Sequence, residues 1–294
     1  MLSQRRRLGS SLGMESMKQA RKHWSYSSIS QYLRCSLQFY FERVLGIPRT
    51  TTSSGLALGS AVHSALATYH LSVAANDPDP AKHVIEAFDN SWKEREKRNE
   101  IDYKQKESRD SVMQTGRSLL ETYLADPIKD EIVAVEERVL VPLEDSTGDY
   151  LETPIVVIAD LVTRDESGLR INEFKTSGRV YSEFEVANSL QATFYVNGLH
   201  ETFGEWPASV EYNVLVKTKM PKLQRIRTNR YREDVMRLGD LVATVERAVD
   251  AEIFYPNPSA MNCAGCQFKS ECADWKPTTS EHQSEEQVEA LVTC

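Results

Sequence analysis

At 294 residues, 40% of them hydrophobic and 27% charged, the chain is long enough for one large domain or two small ones, and no apolar run approaches a membrane span. Five cysteines with no export signal argue against a disulfide framework. The formal charge of −8 argues against binding nucleic acid by bulk charge alone.

The predicted elements begin after a basic, serine-rich stretch, residues 1–23, that lacks the apolar core of a secretory signal. It reads as a disordered extension, with Met14 as an alternative start and a mitochondrial presequence as the minor alternative. Ser27 or Ser28 can cap a helix reaching about Val44, with Ile29, Tyr32, Leu33, Leu37 and Tyr40 as its apolar stripe. Pro48 and the Thr/Ser run to Gly55 mark a loop. Helices follow over 56–75, 81–98 and 108–125, punctuated by Asn76-Asp77-Pro78 and Pro127. The period then changes to that of strands, over 131–142, 154–163 and 169–175. A helix over 184–203, strands over 209–217 and 223–230, and a helix over 233–254 complete a β-β-β-α-β-β core with a closing helix. Pro256, Asn257 and Pro258 lead into a cysteine-rich segment, and the acidic residues 277–294 read as a disordered tail. The stretch 24–276 is therefore expected to be one domain. Within it, Lys217, Lys219, Lys222, Arg225 and Arg227 open a locally basic run that offers a face for nucleic acid.

Chemistry concentrates at one hairpin. Asp165-Glu166-Ser167-Gly168 is a turn signal, and a hairpin symmetric about Glu166 and Ser167 sets Asp160 opposite Glu173, with β-carbons about 5 Å apart. Like charges so placed destabilise a sheet unless a cation lies between them or one is protonated. Lys175 projects from the same face as Glu173. Hard oxygen ligands suit Mg²⁺ or Mn²⁺, and an amine beside them can offset charge developing on a phosphate. A solvated hairpin in which Lys175 simply pairs with a carboxylate is the plain alternative, and a β-bulge would shift the register.

Two helical spacings add to the hairpin. Gly59 and His63 share a helix face, and the missing side chain at Gly59 permits close backbone approach. His63 can supply a nitrogen ligand, which favours Mn²⁺; otherwise it is a hydrogen-bonded core histidine. Gln191 and Tyr195 share another face and can hydrogen-bond phosphates, although Tyr195 also suits ordinary core packing. Glu136 or Glu137 can add a carboxylate, and the sequence does not choose between them. Near the C-terminus, Cys263-x2-Cys266-x5-Cys272 presents three thiolates, with Cys35 or Cys294 as the fourth. Four thiolates suit an iron–sulfur cluster or Zn²⁺. Holding Cys294 at the end of a polar tail costs more chain entropy, whereas Cys35 lies among apolar neighbours on the predicted first helix. Joining chain ends so far apart would stabilise the fold by several kcal/mol, on the scale of long-range crosslinks.

The order Cys35, Gly59-x3-His63, Asp160, Glu173-x-Lys175, Gln191-x3-Tyr195, Cys263-x2-Cys266-x5-Cys272 resembles the RecB-like branch of the PD-(D/E)XK nuclease superfamily. It is most similar to members with an iron–sulfur cluster, the CRISPR-associated exonucleases and the nuclease domain of AddB-type recombination proteins. The resemblance implies an α/β restriction-endonuclease-like core, a mixed central sheet flanked by helices, with a helical N-terminal region and a C-terminal Fe–S cysteine segment. It implies Mg²⁺ or Mn²⁺ bound by His63, Asp160, Glu173 and the backbone carbonyl of Phe174, with Lys175 catalytic and Gln191 and Tyr195 completing the site. Cys35, Cys263, Cys266 and Cys272 would hold a 4Fe–4S cluster. Ala159 stands where the family usually has a proline before the first catalytic acid. The implied activity is that of a metal-dependent DNA exonuclease preferring single-stranded ends, in recombination, repair, phage DNA metabolism or CRISPR-type processing. Any helicase partner would be a separate protein, and a cytoplasmic location, bacterial or phage-encoded, is expected. The rival reading is a non-catalytic DNA-binding or scaffold subunit; a zinc-stabilised nucleic-acid-binding module is a third.

Overall fold

The computed structural model describes residues 22–276, so the expected tail at 277–294, most of the extension at 1–23, and Cys294 lie outside the described residues. Among the described residues no helix is long and apolar enough to cross a membrane.

The chain enters as a short strand, β1 (Trp24–Ser25), and turns directly into α1 (Tyr26–Arg34). The cap is Ser25 rather than Ser27 or Ser28: its hydroxyl accepts the Ser28 N–H, and the Ser28 hydroxyl accepts the Ser25 N–H in return. The helix expected to reach Val44 stops at Cys35, which is extended at φ −162° and ψ 102°. It resumes as α2 (Ser36–Phe39) and a π-helical turn, Tyr40–Val44. The break is stabilised from the far end of the chain. Leu37 N–H donates to Tyr255 O at 3.1 Å, and the Ser36 hydroxyl accepts from Tyr255 N–H at 2.9 Å.

Strand β2 (Thr51–Ser53) leads into α3 (Ser54–Ala74), followed by α4 (Val84–Arg98), β3 (Glu100–Asp102) and α5 (Arg109–Ala125). The two short strands pair with each other and were not legible from hydrophobic period. Helix α3 buries Leu58, Ala61, Val62, Ala65 and Leu66 against Phe88 and Trp92 of α4 and Leu119 and Leu120 of α5. Each large side chain buried there contributes roughly 1.5–3 kcal/mol. Contact between α5 and α4 requires Gly116, because a β-carbon there would lie 2.2 Å from Phe88 Cζ.

The remaining strands, β4 (Glu131–Val141), β5 (Ile155–Asp165), β6 (Gly168–Ser177), β7 (Ser209–Val216) and β8 (Lys222–Thr228), form with β1 a six-stranded mixed sheet. Its order is β1-β5-β6-β7-β8, with β4 also paired to β5. Pairings of β1 with β5 and of β6 with β7 are parallel, and the others are antiparallel. Between β6 and β7, the single helix expected over 184–203 is two: α6 (Glu183–Ala187) and α7 (Leu190–Phe203), parted at Asn188 and Ser189. Helix α8 (Arg232–Asp250) closes the core, and α9 (Ala260–Ala264) and α10 (Lys269–Asp274) carry Cys263 and Cys272, with Cys266 between them. One sheet face packs on α7 and α8 through Val157, Ala159, Ile171 and Val214. The other packs on α3 to α5 through Leu161, Phe174 and Leu215. This is the expected α/β core, a central mixed sheet flanked by helices.

Candidate active site

Side chains on a regular strand alternate faces, but β5 breaks that rule at Asp160. Ala159 packs in the core beneath α7, and Leu161 packs in the core beneath α3. The partner strand breaks in the same place. The β4–β5 register passes from Val135–Leu161 to Glu137–Ala159, skipping the facing couple Glu136–Asp160, and Glu136 has φ +52°. A positive φ is strained for a residue with a β-carbon, and such strain concentrates at functional sites. The distortion lets Asp160 reach both α3 and β6.

The β5–β6 hairpin keeps the expected register, with pairs running from Asp165–Gly168 to Leu161–Asn172 and no shift among them. The turn is held by Ser167 N–H donating to Asp165 Oδ1 at 2.8 Å. Beyond Leu161–Asn172, Asp160 Oδ2 accepts the Phe174 N–H at 2.8 Å, so its side chain takes over a position in the ladder. Phe174 itself faces away, packing in the core under α3. Glu173 and Lys175 share the opposite face, where they form an ion pair.

Helix α7 supplies the rest of the Glu173 environment. Gln191 Nε2 donates to Glu173 Oε1 at 3.0 Å, and the Tyr195 hydroxyl donates to Glu173 Oε2. Gln191 also accepts from Lys175 Nζ at 2.9 Å and donates to the Tyr195 hydroxyl at 2.6 Å. Gln191 and Tyr195 share a helix face, as their spacing predicts, and that face meets the Glu-x-Lys pair. Glu173 is 1% exposed; burial and the neighbouring Asp160 charge lift its pKa to about 7 against the opposing pull of Lys175 and His63. Burial works against the Lys175 ammonium, but Glu173 and Asp160 outweigh it and hold the amine protonated.

His63 approaches from α3, with Nδ1 3.3 Å from Asp160 Oδ1. Burial opposes its protonation, yet Asp160 and Glu173 raise its pKa to about 9. Burial likewise opposes ionisation of Asp160, and His63, the Phe174 N–H and Lys175 reverse that, leaving its pKa low. Donor atoms of His63, Glu136 and Asp160 all lie within 4.8 Å of one another. The structure therefore chooses Glu136 over Glu137. Glu173 is outside this donor group, its two oxygens being taken by Lys175, Gln191 and Tyr195. A nitrogen and two hard oxygens converging with net negative charge suit Mg²⁺ or Mn²⁺.

Two cavities flank Lys175. One, of about 820 Å³, runs along α3 past Gly55, Gly59, Ser60, His63 and Glu136. The other, of about 450 Å³, lies towards α6 and α7. Gly59 lines the first, but its lack of a side chain is not required for packing: a β-carbon would sit 3.5 Å from Thr176 Oγ1, ordinary contact. Of the basic run, Lys217 lies beside the groove-lining Gly55, its Nζ 4.0 Å from where a β-carbon there would be, without lining the groove itself. Lys219, on the β7–β8 turn, and Lys222, at the start of β8, are exposed. Arg225 pairs with Asp126 and Arg227 with Glu211, away from the groove.

The cysteine segment folds back onto the break after α1. Asn257 and Asn262 side chains donate to Arg34 O at 2.8 and 3.2 Å. Cys35, Cys266 and Cys272 pack on a small core of Leu37, Phe41 and Phe268. Burial raises the Cys272 thiol pKa, and the nearby Cys35, Cys266 and Cys263 raise it further, so the four lie in one electrostatic neighbourhood.

A model of the PD-(D/E)XK nuclease superfamily matches residues 23–273. No curated protein matches significantly. Among solved structures, 21 chains match. One, described as "Putative exonuclease" from Eubacterium rectale, has a TM-score of 0.55 at 12% identity, covering 98% of this chain and 99% of that one. Another, SSO0001, has a TM-score of 0.35 at 14% identity over 84% of this chain and 98% of that one. The first shares the fold; the second is too distant to inform the argument. With the family model spanning both the hairpin and the cysteine segment, the chain belongs to the PD-(D/E)XK nuclease superfamily.

Proposed function

We propose that this chain is a metal-dependent DNA exonuclease that prefers single-stranded ends, folded as one domain over 24–276. The observation that carries the reading is the meeting of His63, Glu136 and Asp160 beside the Glu173–Lys175 pair, at the edge of a groove. A divalent cation held by His63, Glu136 and Asp160 would act as a Lewis acid on a phosphoryl oxygen and generate a nucleophile from water near neutral pH. Glu173 and the Phe174 carbonyl, ligands implied by the resemblance, adjoin this group on β6.

The chain's own groups do the rest. Lys175 keeps a positive charge at the groove, where it offsets negative charge developing on the phosphate. Glu173 fixes the direction of that ammonium, and Gln191 and Tyr195 fix Glu173. Lys217 marks where the backbone of a bound strand enters. Small residues along α3 leave room for that strand.

Cys35, Cys263, Cys266 and Cys272 are proposed to hold a structural 4Fe–4S cluster, which would covalently join the two ends of the domain. Four thiolates suit an iron–sulfur cluster or Zn²⁺, and the resemblance is what supports iron; iron and sulfide in the purified protein are the expected result, and zinc without iron would contradict it. Cleavage of end-labelled single-stranded DNA with Mn²⁺ or Mg²⁺, by wild type and Lys175→Ala, tests the catalytic reading. Metal-dependent loss of label by wild type alone is expected. DNA binding without cleavage by an iron-replete protein would overturn it in favour of the scaffold.

A further inference from the structure

The second cavity beside Lys175 has a composition that the cation site does not explain. We propose that it is a pocket for the terminal nucleoside of a DNA strand, so that the strand ends there and cleavage proceeds from an end. This rests on the nuclease reading and specifies how the substrate lies in the site.

Lys175 lines both cavities. A phosphate at its ammonium therefore has the open α3 groove on one side and the smaller cavity on the other. The α3 side is long and lined by small polar residues, suited to a continuing strand. The far side is about 450 Å³, within the range of small-molecule sites. Two half-buried tyrosines, Tyr26 and Tyr181, bound it, while Tyr212, 2% exposed, reaches its wall from the core. Aromatic rings beside a polar cavity stack on any base, because every base presents a π-face.

Charge decides between a strand passing through and a strand ending. Apart from Lys175 at its mouth, the pocket has no cationic lining residue, and Glu185 contributes a carboxylate to its wall. That carboxylate is held ionised by Arg179 and by Ser182, with its pKa near 2. Arg179 neutralises Glu185, so beyond Lys175 a second phosphate would meet no lining cation there. A base and sugar would meet rings and hydroxyls.

The walls are also held in place. The Gln224 side chain accepts from Tyr181 N–H and donates to Tyr181 O, both at 2.8 Å, fixing the loop after β6. The buried Arg230 guanidinium donates to Val186 O at 3.2 Å and Ser189 O at 3.0 Å, fixing the α6–α7 turn opposite. The Tyr212 hydroxyl is tied to Ser189 Oγ at 2.7 Å. Tyr26 stands edge-on to Phe194 at 6.2 Å. Such fixed rings lose little entropy on stacking a base.

Single-stranded oligonucleotides carrying 2-aminopurine at one end, at the other end, or centrally would be bound in Ca²⁺. Stacking in the pocket should quench the probe at one end only. Tyr181→Ala should abolish that quench and weaken binding roughly tenfold, whereas Tyr181→Phe should retain both. If Tyr181→Ala does not fold, Ser30→Trp, which fills the pocket from α1, should abolish the quench in its place. Equal quenching at all positions, or a terminal quench that survives both Tyr181→Ala and Ser30→Trp, would overturn the pocket. The underlying nuclease reading fails separately, by absence of Mn²⁺-dependent cleavage in wild type.

Discussion

His63 and His70 stand two turns apart on α3, and their surroundings drive them in opposite directions. At the groove end, burial disfavours the His63 imidazolium, but Asp160 at 3.3 Å and the Glu173 charge raise its pKa to about 9. At the core end, His70 is 1% exposed, stacks on Phe174, meets Tyr69 edge-on and hydrogen-bonds the Tyr123 hydroxyl at 2.7 Å. Burial there lowers its pKa to about 4. One helix thus has an end built to attract positive charge and an end built to exclude it. In the proposed function a divalent cation would take the place of the proton on His63, whereas His70 belongs to packing beneath the same strand.

The largest expected effect separates the two ends by function. Lys175→Ala or Asp160→Asn should reduce metal-dependent cleavage by roughly 10³-fold or more, with melting temperature nearly unchanged. The fold tolerates loss of Lys175 because Glu173, with its pKa already about 7, can take up a proton and keep its bonds to Gln191 and Tyr195. Near-wild-type cleavage by Lys175→Ala would break the contrast.

Next in size is the pH dependence of stability. The depressed pKa of His70 means that the unfolded chain binds the extra proton first. Stability should therefore fall as pH drops from about 6.5 towards 4, by about 3 kcal/mol. The raised pKa of His63 works the other way, with stability present below 6.5 and lost as pH rises through about 9. At 28% exposure that contribution is screened and smaller. Denaturant titrations from pH 4 to 9 should show the acid limb flatten in His70→Leu and the alkaline limb flatten in His63→Gln. An unchanged acid limb in His70→Leu would contradict the assignment.

Smaller effects sharpen the groove end. Glu136→Gln should raise the Mn²⁺ concentration for half-maximal cleavage by roughly tenfold, a loss that even outer partners of metal ligands produce. Glu137→Gln should change it less than about twofold. Equal effects would remove Glu136 from the donor group. Smallest is Gly59→Ala, which should leave stability unchanged or raise it by up to about 1 kcal/mol by thermal unfolding. A loss of about 2 kcal/mol would mean that α3 lies closer to β6 than the 3.5 Å contact indicates.

Much of this was legible in the sequence because it depended on local geometry. The Asp165–Gly168 turn carried the hairpin register, and the i, i+4 spacing carried the shared helix face of Gln191 and Tyr195. Features set by distant packing were not legible. The break at Cys35 depends on Tyr255, more than two hundred residues away. The choice of Glu136 depends on a reversal of side-chain alternation that satisfies cores on both sheet faces at once. Arg225 belongs to a basic run, yet Asp126, almost a hundred residues away, neutralises it, while Arg227 is paired by Glu211 facing it on the neighbouring strand. His63 and His70 lie on one helix, and nothing in their spacing says which faces an acid.

The most direct test of the central claim is anomalous diffraction from crystals soaked in Mn²⁺. A peak bounded by His63, Glu136 and Asp160, absent from Asp160→Asn crystals, is the predicted result. Mn²⁺ bound elsewhere, with His63 and Asp160 still paired to each other, would contradict it.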